Sequence, residues 1–126
     1  MKLDYLDKVN GHGDNIVRLY DFNTSQADKF RETIKQTILA GKKPFELATL
    51  EFIQSINCNL TLRISDSDYG ITTTDKKQFY CDLTTKGYEE MVLLLVPFCK
   101  DGNYGYQWLY DTNSETELLF SSDGKW

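Results

Sequence analysis

The chain has 126 residues, of which 40% are hydrophobic and 13% aromatic, and its formal net charge is −5. This length and composition predict a single globular domain over residues 1–126, large enough to fold without disulfides or a metal ion. Lysines and arginines never form runs longer than two, as at Lys42-Lys43, and this argues against a nucleic-acid partner, because binding a phosphate backbone requires clustered basic side chains.

The first third of the chain predicts two strands and one amphipathic helix. Residues 1–10 are apolar enough for a short strand or an ordered arm. Asn15–Phe22 has apolar residues on both faces, which is typical of a central strand. A helix begins at Thr24 or Ser25 and ends near Gly41. Its buried stripe is expected to consist of Ala27, Phe30, Ile34 and Ile38.

The middle of the chain contains one ambiguous segment and two alternating ones. Residues 44–57 fit a helix or a strand about equally well. Residues 60–65 and 78–83 alternate between apolar and polar side chains, and each predicts a half-buried strand. Residues 66–77 form a connection too long for a tight hairpin. Arg63 and Asp82 lie on the outward faces of these strands, so an ion pair forms between them if the strands are neighbours.

The most apolar stretch of the chain, residues 82–99, predicts a second helix. It begins at Thr84 or Thr85, and Pro97 ends or kinks its last turn. Apolar residues lie almost all round this helix, so we expect it to be buried on nearly every side. A buried strand over Met91–Val96 is the alternative.

Two further strands, near residues 104–110 and 117–120, predict a C-terminal hairpin. Strands in runs, with two helices segregated from them, are typical of an α+β fold. We therefore expect a two-layer sandwich, with a mostly antiparallel sheet of about five or six strands and two main helices.

An aromatic row, Tyr104, Tyr106, Trp108 and Tyr110, is the most distinctive candidate site. The period of a strand places all four side chains on one face. If the row lies beneath a helix, it forms part of the core, which is the usual role of such rows. If it is exposed, it becomes the first choice for a surface that binds another protein.

Acidic residues supply the second candidate site, in the loop Asp66-Ser-Asp-Tyr-Gly70. This loop begins like an EF-hand, but Gly70, Ile71 and Lys77 stand where calcium coordination requires an oxygen ligand, glycine and glutamate. A solvated turn therefore explains it better than a metal site. Asp66 and Asp68 remain candidate binding residues, because long loops often carry function.

Nucleophilic and metal chemistry have little support. His12 is the only histidine, and no nucleophile signature surrounds Cys58, Cys81 or Cys99. These four residues lack the close spacing of zinc ligands. The sequence has no phosphate-binding glycine loop, so we expect no catalytic residue, no cofactor and no metal.

Three functional hypotheses follow. The first is a non-enzymatic cytoplasmic module that binds an unidentified protein partner. Residues 1–7 lack the apolar core of a signal peptide, no stretch is long enough for a membrane span, and three widely spaced cysteines are typical of reduced thiols. The alternatives are a small enzyme or ligand-binding protein with a carboxylate- and tyrosine-lined cleft, and an acidic inhibitor or immunity-type protein that covers a basic target.

Overall fold

A computed structural model describes residues 1–7, 15–100, 105–112 and 115–124. Nine strands and two α-helices occur in this part of the chain. In chain order they are β1 (Lys2–Leu6), β2 (Asn15–Tyr20), α1 (Thr24–Thr33), β3 (Phe45–Glu46), β4 (Gln54–Ser55), β5 (Asn59–Ile64), β6 (Gly70–Thr73), β7 (Gln78–Leu83), α2 (Thr85–Leu95), β8 (Tyr106–Tyr110) and β9 (Thr116–Ser121).

All nine described strands belong to one sheet, in the order β3-β5-β7-β6-β9-β2-β1-β4, with β8 also paired to β9. The α+β class is therefore correct, but the expectation of about five or six mostly antiparallel strands is wrong. β5 pairs with β7, β2 with β9 and β1 with β4 in parallel. The C-terminal hairpin exists, since β8 and β9 are antiparallel. Its second strand is central, because β2 extends the sheet beyond it.

The sheet is strongly curled. The rings of Tyr5 on β1 and Phe79 on β7 have centroids 4.7 Å apart, although β2, β9 and β6 lie between their strands. In a flat sheet these strands would be about 19 Å apart, at about 4.8 Å per strand. The sheet therefore folds its two halves toward each other around one apolar core, which the helices also enter.

Residues 44–57, the ambiguous segment, connect the two ends of this sheet. β3 pairs with β5 at one end, and β4 pairs with β1 at the other. Between them the chain forms one short 3₁₀ turn, Leu47–Thr49. Leu47 and Ile53 are buried, so the segment is neither a long helix nor a long strand but a packed bridge.

The sequence analysis missed β6, which lies inside the predicted connection 66–77. β6 pairs antiparallel with β7, and the side chain of Asp75 accepts hydrogen bonds from the amides of Lys77 and Gln78 in the turn between them. The β-branched run Ile71–Thr74 was the available signal for this strand.

The first helix has the predicted buried stripe, and its four apolar residues are completely buried. Its cap differs from the expectation. Asn23, rather than Thr24 or Ser25, accepts a hydrogen bond from the amide of Gln26, whose side chain accepts one in return from the Asn23 amide. After Thr33 the helix continues as a π-helix, Ile34–Ala40, and reaches Gly41 as predicted.

The second helix begins as predicted, with the hydroxyl of Thr84 accepting a hydrogen bond from the amide of Gly87. The α-helix ends at Leu95, and a 3₁₀ turn containing Pro97 follows. The expectation of burial on nearly every side is wrong, because Leu93 is 68% exposed. One face of α2, which also includes Glu89 and Glu90, points away from the core. In the described part of the chain, no helix has both the length and the apolar character needed to span a membrane.

Candidate functional site

Two members of the aromatic row lie on the face of the sheet opposite the helices. Trp108 is the cross-strand neighbour of Leu119, and Tyr106 that of Ser121. The helices pack on the other face, where Phe30 of α1 stacks on Phe120 of β9. We call the face of Tyr106 and Trp108 the outer face.

Tyr106 and Trp108 form an aromatic pair on this outer face. Their ring centroids are 6.4 Å apart, with an interplanar angle of 77°, which is a favourable edge-to-face arrangement. Tyr106 is 51% exposed, and Trp108 is half-buried. The row therefore does not serve only as core, because part of it is exposed at the surface.

A β-bulge removes Tyr110 from the row. Trp108 pairs with Leu119, and Tyr110 pairs with Leu118, so Leu109 is an extra residue in β8. Leu109 is buried in the core, and the partly buried Tyr110 packs against that core on the side of the helices. The prediction that one face holds all four rings is therefore wrong for Tyr110, while Tyr104 lies outside the described residues.

The outer face also carries two similar groups of arginine, aspartate and tyrosine. The guanidinium of Arg18 lies 3.8 Å from the ring centroid of Tyr20. It also donates hydrogen bonds to both carboxylate oxygens of Asp4. Arg63 has the same relationship to Tyr80, at 4.0 Å, and to Asp82. These aspartates offset the arginine charges, so the outer face offers aromatic and polar groups rather than a strongly basic patch.

A cleft of about 350 Å³ opens beside β8, between the loop before β6 and the exposed side of α2. Tyr110 forms one wall, and its hydroxyl donates a hydrogen bond to the carbonyl of Asp68. The described residues that line the cleft are Asp68, Glu90, Leu94, Trp108, Leu109, Tyr110, Asp111 and Thr112. Three carboxylates and one tyrosine are therefore among the residues that line this cleft.

The two predicted loop carboxylates have different surroundings. Asp68 accepts hydrogen bonds from the amide and the hydroxyl of Thr84, at 2.8 and 2.9 Å, and so ties the loop to the start of α2. It also lines the cleft. Asp66 accepts a hydrogen bond from the hydroxyl of Tyr69 and is outside the cleft lining. Within the described residues, no cluster of three His, Cys, Asp or Glu side chains is placed to hold a metal ion.

Glu90, Leu94 and Asp111 belong to the cleft, and the sequence analysis did not group them with Asp68. Arg63 and Asp82 lie outside the cleft and form with each other the ion pair expected for neighbouring strands. Residues 68, 90 and 111 are too far apart in sequence for any local pattern to join them. The exposure of one side of α2 was the missing information, since a helix predicted to be buried offers no wall to a cleft.

The three thiols are poorly suited to nucleophilic chemistry. Burial raises the pKa of Cys58 and of Cys81 from 9.0 to about 12 in each case. Burial, with a contribution from Asp28, also raises the pKa of the half-buried Cys99. A nucleophilic cysteine needs a lowered pKa, and His12, the only histidine of the sequence, lies outside the described residues.

Neither a comparison with models of protein families nor a search of curated proteins finds a match for this chain.

Proposed function

We propose that this domain acts by binding another protein, and that Tyr106 and Trp108 form the centre of the contact. The half-exposed ring of Tyr106, packed edge-to-face on Trp108, is the observation that carries the proposal. Tyrosine and tryptophan are enriched at the energetic centres of protein interfaces, since they combine a large apolar area with a polar group. A rigid pair loses little side-chain entropy on binding.

The neighbouring groups on the outer face support this role. Arg18 is fixed by Asp4 and by the carbonyl of Gly124, and it lies over the ring of Tyr20. Cross-strand pairing places Tyr106, Ser121 and Tyr20 in one row across β8, β9 and β2. The aromatic pair is therefore continuous with a preorganised polar surface, as is typical of the centre and rim of an interface.

Photo-crosslinking tests this proposal without knowledge of the partner. p-Benzoylphenylalanine replaces Tyr106 in one variant and Ile56 in the control, and both proteins are irradiated in cells. Ile56 is 49% exposed and follows β4, which is four strands from β8 in the sheet order. A discrete covalent adduct with another protein from position 106, and none from position 56, supports the proposal. Equal labelling at both positions, or no adduct at 106, contradicts it.

The cleft beside β8 favours a second candidate, a small ligand-binding protein. Its volume of about 350 Å³ is at the lower end of the range for small-molecule sites, about 300–1,000 Å³. Its wall combines carboxylates with apolar and aromatic side chains, which suits a ligand that is itself amphipathic. If Tyr110→Ala abolishes ligand binding and leaves the crosslink from position 106 unchanged, ligand binding in the cleft is a function distinct from protein binding at Tyr106.

A further inference from the structure

We propose that the cleft beside β8 receives an arginine side chain of the protein that binds Tyr106 and Trp108. This inference rests on the proposed function and extends it by assigning a second contact and its chemistry. Trp108 belongs both to the aromatic pair and to the cleft lining. The pair lies on the outer face and the cleft opens on the helix side of β8, so a partner seated on the pair reaches the cleft with a long side chain that passes around β8.

The charges of the cleft lining indicate that the group bound there is positively charged. Asp68, Glu90 and Asp111 line the cleft, and no lysine or arginine does so among the described residues. The ion pairs formed by the described residues leave these three carboxylates without a cationic partner. A cation entering the cleft therefore gains attraction to all three without displacing a basic side chain of this protein.

Tyr110, which forms one wall of the cleft, lies close to the same negative charges. Burial, together with the negative charges of Asp68 and Asp111 and the neighbouring Cys81, raises the pKa of Tyr110. Its hydroxyl is fixed by the hydrogen bond to the carbonyl of Asp68. The ring is therefore held in place beside the carboxylates.

The shape of the lining distinguishes arginine from smaller cations. Leu94, which is only partly buried, offers an apolar surface in the cleft on which the methylene stem of a long basic side chain can pack. A planar guanidinium can stack on an aromatic ring and bind carboxylates with several donors at once, whereas an ammonium ion acts as a compact point charge. Such stacking already occurs at Tyr20 and at Tyr80.

The probe for this site is N-acetyl-arginine-amide, titrated into the ¹⁵N-labelled full chain at low salt. N-acetyl-citrulline-amide has nearly the same shape without the charge and serves as the matched ligand control. We expect saturable shifts of the amide resonances of Asp68, Glu90 and Asp111 with the arginine compound, at millimolar concentration, as befits a single side chain. Shifts of similar size with citrulline, or none with arginine, would overturn the proposal.

Charge-removing variants test the residues of the cleft. Glu90→Gln and Asp111→Asn should each weaken binding of the arginine compound by about threefold or more, while Glu89→Gln should change it by less than about 1.5-fold. Glu89 is an exposed neighbour on α2 outside the lining and controls for net charge. An equal effect of all three variants would show nonspecific attraction and overturn the site. Because the probe offers no contact to Tyr106, its failure leaves the crosslinking test of that residue unaffected.

Discussion

Arg63 and Asp82 lie directly opposite each other on the parallel strands β5 and β7 and form a two-point ion pair. Nε of Arg63 is 2.7 Å from one carboxylate oxygen, and Nη2 is 2.8 Å from the other. The Asp82 side chain is 15% exposed, and that of Arg63 is 43% exposed. Solvent therefore screens the pair in part, but its geometry is favourable.

We expect Arg63→Lys to lower the free energy of unfolding by about 1 kcal/mol, since lysine retains the charge but loses the second hydrogen bond and the stacking on Tyr80. Urea unfolding measures the change. Lys35→Arg, in the exposed pair with Glu32, is the control and should alter stability by less than about 0.5 kcal/mol. A cost for Arg63→Lys no larger than this would show that the second contact contributes nothing.

Tyr88 connects α2 to the sheet, and Tyr88→Phe should be more costly. Its buried hydroxyl accepts a hydrogen bond from the Arg63 amide at 2.9 Å and lies within 2.7 Å of the carbonyls of Arg63 and Cys81. Removing it leaves the partly buried Arg63 amide without its partner, so we expect a loss of about 1–3 kcal/mol. Tyr5→Phe is the control, because its hydroxyl makes only an exposed contact of 3.5 Å. Equal effects of the two variants would contradict this role.

Gly87→Ala should destabilise the protein although alanine favours helices. A Cβ at this position would lie 2.8 Å from Oδ1 of Asp68 and 3.1 Å from Cβ of Leu83. Relieving the first contact breaks the hydrogen bonds that Asp68 accepts from the amide and hydroxyl of Thr84. We expect a net loss of about 1 kcal/mol, since alanine itself gains about 1 kcal/mol in a helix. In an Asp68→Ala background the substitution should cost less, and a double-mutant cycle on thermal unfolding measures this coupling. Additive effects of Gly87→Ala and Asp68→Ala on the free energy of unfolding would contradict this coupling.

The buried thiols predict slow labelling in the native protein. At pH 8 we expect Cys99 to react first with Ellman's reagent, because Cys58 and Cys81 are buried and their pKa values are about 12. In urea all three should react alike. Because the thiols of the unfolded chain ionise near pH 9 while the folded ones remain protonated, stability should fall as the pH rises from about 9 toward 12. Cys58→Ser should reduce this alkaline loss, and rapid native labelling of Cys58 or Cys81 would contradict the assignment.

Local patterns predicted much of the fold. The alternation over residues 60–65 and 78–83 located two strands, and it placed Arg63 and Asp82 on the same face. Sequence alone could not show that these strands are parallel neighbours, because that depends on β6, a four-residue strand hidden in an apparent loop. It also could not show the bulge at Leu109, which has no local signature and turns Tyr110 toward the helices. The cleft depends on the loop before β6, which supplies Asp68, and on the bulge, which places Tyr110 in the lining.

The central claim is that the aromatic pair binds a protein partner, and the affinity of Tyr106→Ala for the partner captured by crosslinking tests it most directly. Isothermal titration calorimetry should show a Kd at least about tenfold weaker than that of the unmodified protein, as for a residue at the centre of an interface. Ile56→Ala should leave the Kd within about twofold. The Tm of Tyr106→Ala should fall by no more than about 4 °C, since half of the side chain is exposed. An unchanged Kd, or a Tm that collapses, would contradict the claim and assign Tyr106 a structural role.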